Sequence, residues 1–223
     1  MPAVFRFVYK LFALCLVVFI FWSVFSLISR NNLLKEMVSR LEADSRAAQV
    51  MVTKRYLEPQ SKEVRTTIKF LEYDSRSRPL PARYFTFPGD IIQFQSLVIR
   101  FDDRLIKEAN PLKGKSAFLF LKVFSLNKDR ASVYDLSRAG EIPCGYKVNG
   151  SRFERRLWRK FWEYALDREK AESEGIRNAQ IEAPGTRFLP GYIYTLRIEH
   201  DGGLRIDAEK IPDILKQGIA VSG

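Results

Sequence analysis

The chain has 223 residues, with 37 Lys or Arg against 26 Asp or Glu for a formal net charge of +11, one His and two Cys. Hydrophobic residues make up 46% and aromatics 13%, a composition that excludes a disordered tail and provides for a packed core. One His and two Cys leave too few ligands for a transition-metal site, and one Cys beyond the first 30 residues rules out an internal disulfide there.

The amino-terminal run Leu11 to Ser29, LFALCLVVFIFWSVFSLIS, carries no charge and is flanked by Lys10 and Arg30. As a helix rising about 1.5 Å per residue it reaches roughly 28 Å, close to the hydrocarbon thickness of a bilayer. The expectation is a retained transmembrane helix over 11–29, preceded by a short basic tail at 1–10. The run exceeds the usual apolar region of a cleaved signal peptide, although Val24-Phe25-Ser26 loosely fits a cleavage site. Cys15 reads as an inert apolar residue within it. Long domains translocate largely regardless of their charge. The favoured placement is therefore a single-pass protein of a bacterial inner membrane with its carboxy-terminal domain outside the cytoplasm. A cytoplasmic domain resting a basic patch on anionic lipid stays open as an alternative.

Residues 30–58 contain neither Gly nor Pro, and Leu34, Val38, Leu41, Ser45, Ala48 and Val52 recur at alternating four and three spacing. That is the seam of a weak coiled coil, so the expectation is a helical stalk that either pairs into a homodimer or packs on its own domain. A β-rich globular domain then spans 62–211, and a short tail covers 212–223.

Val64 to Tyr73, rich in β-branched and aromatic residues, is the first expected strand. Arg83 to Phe87 and Ile91 to Phe101 are extended runs separated by Pro88-Gly89-Asp90, which reads as a hairpin turn. The second run is long enough to require a bend near Gln95-Ser96. Ala117 to Phe124 is apolar at nearly every position and reads as a strand covered on both faces. A short strand is expected around Ile142 to Val148. Tyr192 to His200 alternates, and Asp201-Gly202-Gly203 turns it back into Leu204-Arg205-Ile206.

Between these strands Ser151-Arg152-Phe153-Glu154 has the spacing of a capping box, which opens a helix over about 151–173. Phe153, Leu157, Phe161 and Tyr164 fall on one stripe, widened by Trp158, Trp162 and Ala165. Cations crowd the first half of this helix and acids the second, against the helix dipole. Arg155, Arg156, Trp158, Arg159, Lys160 and Trp162 are therefore the expected binding patch, facing anionic lipid or an acidic protein partner. In the opposing reading both Trp residues pack in the core. Basic residues are scattered along the whole chain, which disfavours a nucleic-acid interface.

No catalytic motif is complete. Gly114-Lys115-Ser116 resembles the end of a phosphate-binding loop, but Ala109 stands where its first Gly belongs and a strand follows. Asp102-Asp103 point to opposite faces of an extended chain and are flanked by Arg100 and Arg104. Glu199-His200-Asp201 is the end of a hairpin. A membrane anchor followed by a β domain with one Cys and one His is similar in layout to the sortases, which would make Cys144 a nucleophile served by His200. Here Cys144 precedes His200, and the sortase signature before the cysteine is missing. The order of anchor, stalk and antiparallel domain is also similar in outline to bacterial envelope scaffold proteins of the MreC type, a likeness that no motif carries.

The expected fold is thus a membrane-anchored α+β protein. A transmembrane helix and helical stalk lead to a mainly antiparallel sheet or partly open barrel with one packed amphipathic helix. Its expected role is binding, scaffolding or assembly at a membrane surface, without a cofactor. An envelope enzyme using Cys144 and His200 is the alternative.

Overall fold

Alternation of apolar and polar residues gives the described chain ten strands, most of which bury at least one side. The computed structural model describes residues 2–41, 46–74, 77–101, 116–127, 130–143, 146, 150–173, 176–199 and 203–213. In chain order these form α1 (Pro2–Leu41), β1 (Arg46–Leu57), β2 (Val64–Glu72), β3 (Arg83–Pro88), β4 (Ile91–Phe101), β5 (Ser116–Asn127) and β6 (Arg130–Asp135). There follow α2 (Arg152–Leu166), α3 (Arg168–Ser173), β7 (Ile176–Glu182), β8 (Gly185–Arg187), β9 (Tyr192–Ile198) and β10 (Leu204–Lys210).

The strands make two antiparallel five-stranded sheets, one in the order β10-β9-β1-β2-β3, the other β6-β5-β4-β7 with β8 also paired to β4. Their facing sides share a core of Ala48, Val50, Val52, Ile68, Phe70, Phe87, Ile92, Phe94, Phe118, Phe120, Val123 and Leu196. The other side of the second sheet offers Leu97, Ile99 and Leu119 to α2 and to Leu33 of α1. The result is three layers, sheet on sheet on helices. β5 lies between the two cores, which explains its unbroken apolar run: Phe118 and Phe120 face one sheet, Leu119 the helices. The register of β4 against β5 shifts between Gln95 and Ser96, at the expected bend.

Both edges of the sandwich are tied across. Tyr134 on β6 donates its hydroxyl hydrogen to the Thr86 carbonyl on β3 at 2.9 Å. At the other edge the Leu204 amide of β10 donates to Oε2 of Glu182 on β7 at 2.8 Å. These bonds satisfy edge groups that would otherwise invite another strand.

Several expectations need correction. Among the described residues no helix is long and apolar enough to cross a membrane, which overturns the transmembrane helix over Leu11–Ser29 and the single-pass placement drawn from it. α1 contains that stretch, with Leu11, Phe12, Leu14, Phe19 and Trp22 exposed.

The helical stalk over 30–58 and its coiled coil are also corrected. α1 ends at Leu41 and the chain continues as β1. Ala48 and Val52, two positions of the expected seam, are buried between the sheets, where they cannot meet a second copy. The side chains of Leu34, Val38 and Leu41 lie outside the described ones. β1 pairs with β2 on one side and β9 on the other, and this central place outweighs the helical periodicity of its sequence.

The domain is two stacked sheets rather than one barrel. Pro88-Gly89-Asp90 is not a hairpin turn but the crossover between them, since β3 pairs with β2 and β4 with β5. Gly89 adopts φ +82°, which favours glycine, and its amide donates to the Val64 carbonyl at 2.6 Å. The short strand expected around Ile142 to Val148 lies mostly outside the described residues, and 142, 143 and 146 are not extended into one. The expected single helix over 151–173 is divided in two at Asp167, whose backbone is extended (φ −120°, ψ 103°).

Candidate binding surface on helix α2

Helix α2 begins where the capping box places it. Ser151 Oγ accepts from the Glu154 amide at 3.1 Å, and Glu154 Oε2 accepts from the Gly150 amide at 2.5 Å, one residue ahead of the cap. Two amides at the helix start are thus satisfied and a carboxylate sits at the positive end of the dipole, partly offsetting the cations beside it. Leu157, Trp158, Phe161, Trp162 and Tyr164 are buried. Trp158, Phe161 and Trp162 stack edge to face along the helix, with neighbouring ring centroids 5.4 and 5.3 Å apart. Trp162 Nε1 donates to the Glu141 carbonyl at 2.8 Å. The helix is therefore held to the sheet as a rigid platform.

This packing separates the six residues of the expected patch. Trp158 and Trp162 belong to the core, while Arg155, Arg156 and Arg159 are exposed and Lys160 is half-buried. Arg152, also exposed, joins the arginines, and the spacing 152, 155, 156, 159 puts all four on one helix face. Such a row is about 10 Å long at 1.5 Å per residue. Arg155 Nη1 donates to the Gly150 carbonyl. Among the described residues Arg152, Arg156 and Arg159 form no ion pair.

The second half of the surface is different. Lys160 Nζ lies 2.6 Å from Glu163, and Lys170 Nζ lies 3.0 Å from Glu163 and 3.1 Å from Asp167. Hydrogen bonds from Lys160 and Lys170 hold the Glu163 carboxyl below its ordinary value. The backbone amide of Lys170, and then its side chain, does the same for Asp167. Arg168 and Glu172 pair at 2.7 Å. Among the described residues, positive charge is thus in excess along Arg152–Arg159, offset only in part by Glu154, and is paired beyond it. In the neutral half Leu166 is 70% exposed. It overhangs a groove of about 600 Å³ lined by Arg159, Lys160, Trp162, Glu163, Asp167 and Lys170. A second cleft of about 560 Å³ lies on its other side, between α2, α3 and β7.

A charged cluster with no sequence signature lies elsewhere, at the end of the sandwich. Glu72 at the end of β2 accepts from Arg83 Nη2 at 2.9 Å and from Tyr146 Oη at 3.2 Å, while Arg83 Nη1 donates to the Leu136 carbonyl at 3.1 Å. Glu72 is 6% exposed and Arg83 is half-buried, so the cluster ties the sheets together around a buried carboxyl. Only spatial proximity reveals it.

The remaining sequence candidates fall outside the described residues: Cys144, His200, Asp201, Asp102, Asp103, Gly114 and Lys115. Among the described residues, no three His, Cys, Asp or Glu side chains gather where a metal ion could be held. No family model, curated protein or solved structure matches the chain.

Proposed function

We propose that this protein is a binding or assembly module, that the arginine row of α2 is its recognition surface, and that its partner is an acidic segment of another protein. The observation that carries this reading is the contrast along α2 and α3: among the described residues Arg152, Arg156 and Arg159 are exposed and form no ion pair, whereas Lys160 on α2 and Arg168 and Lys170 on α3 are paired. Guanidinium groups on a helix held to the sheet meet carboxylates through two parallel hydrogen bonds, and their planar fork loses less side-chain freedom per bond formed than an ammonium would. A nucleic-acid backbone fits less well, because phosphates continuing along the helix would meet the carboxylates of Glu163 and Asp167.

The test uses the full chain and a fluorescent hexaglutamate peptide, with the triple variant R152Q/R156Q/R159Q. Arg155 is left in place because it also bonds Gly150 at the helix start. Binding that weakens with salt, and falls about tenfold or more in the variant, is expected from the loss of three charge-assisted contacts. Equal affinity of the variant and the parent protein overturns the reading.

A further inference from the structure

We infer that the acidic partner segment also carries a bulky apolar side chain at one end of its acidic run, and that this side chain seats in the groove beside Leu166 and Trp162. The inference rests on the arginine-row reading and deepens it by assigning a second specificity element.

Three features of the surface converge on it. Leu166 is a large aliphatic side chain, 70% exposed, at the last position of α2. Solvent exposure of one Leu is unremarkable by itself, but this one lines a shallow groove that Trp162 also borders. Secondly, Arg159 lines that same groove. A segment bound along Arg152, Arg156 and Arg159 therefore runs into the groove with no gap. The positions 152, 156, 159, 163 and 166 share one helix face, so an extended ligand follows a straight track.

Charge gives the third argument. A carboxylate continuing past Arg159 would approach Glu163 and Asp167, whose charges are already matched by Lys160 and Lys170. Further acid there meets charges that are already paired and gains less than over the arginine row, whereas an apolar group gains by covering Leu166. The surface is thus complementary to a segment that is acidic over the arginine row and apolar at the groove. It disfavours a uniformly acidic one.

The experiment compares two peptides on the full chain, hexaglutamate and hexaglutamate extended by Gly-Phe at either end. Burying part of an aromatic side chain against Leu166 is expected to tighten binding on the order of tenfold for one of the two extensions. Leu166→Ser, at an exposed position outside the core, removes that increment and leaves hexaglutamate binding unchanged. If hexaglutamate binds but neither extension improves it, or if the increment persists in the Leu166→Ser variant, the groove assignment is overturned while the arginine row stands. Loss of both, with hexaglutamate failing to bind the parent protein, overturns the arginine row as well.

Discussion

Tyr146 donates its hydroxyl hydrogen to Oε1 of Glu72 at 3.2 Å, across 74 positions of sequence. With Arg83 on the other carboxylate oxygen at 2.9 Å, this bond joins the end of β2, the start of β3 and the segment leading into α2. One buried acid thus adds to the packing that holds the platform of the arginine row on the sandwich.

That acid makes stability depend on pH. Burial pushes the Glu72 carboxyl up from the ordinary 4.5 to about 7, against the pull of Arg83 and of the Tyr146 hydroxyl. Between those values the native chain keeps a proton that the unfolded chain has released. The stabilisation is complete below about pH 4.5 and is lost as pH rises to about 7. A shift of that size corresponds to about 3 kcal/mol. Urea unfolding midpoints should decline over this window, and Glu72→Gln, which still accepts from Tyr146 but cannot ionise, should flatten the decline. An unchanged slope in the variant would show that other groups govern it.

The tie at the β3–β6 edge has two separable parts. Tyr134→Phe removes only the hydrogen bond to Thr86 and should cost about 1 kcal/mol in urea titration. Tyr134→Ala also removes the ring contacts with Phe85 and Phe87, whose centroids lie 5.1 and 5.2 Å away, and should cost roughly twice as much. Equal losses for the two variants would mean that the rings contribute nothing.

Gly185 opens β8 where the Gln93 side chain crosses it. A Cβ at this position would overlap Gln93 Cγ and lie 3.1 Å from the Ile92 carbonyl oxygen. Gly185→Ala should destabilise by about 1–3 kcal/mol through this overpacking. Adding Gln93→Ala removes the closest atom and should restore part of the loss in thermal unfolding. Additive losses in the double variant would place the cost in the backbone instead.

Much of the second half of the chain is legible locally. Ser151 and Glu154 mark the start of α2 because a capping box is a local hydrogen-bond device. The division of β4 from β3 is legible for a similar reason, since Pro88 fixes its own φ and Gly89 accepts the positive φ found there. Residues 46–57 are not legible in this way. Ala48, Val50 and Val52 alternate at a period of two, while Ala48 and Val52 also continue the four-and-three spacing of the preceding helix. Both periods are present, and pairing with β2 and β9 chooses between them.

The same division holds for the binding surface. Sequence alone determined that a helix begins at residue 152, that its first half is rich in arginine and that its second half is rich in acid, because capping, periodicity and charge are properties of neighbouring residues. Only the tertiary structure decided which residues reach solvent. It buried Trp158 and Trp162 against the sheet, left Leu166 outside, and brought Glu72 to Tyr146. Those outcomes depend on what lies across from each side chain, and that is set by how the two sheets and the helix layer stack.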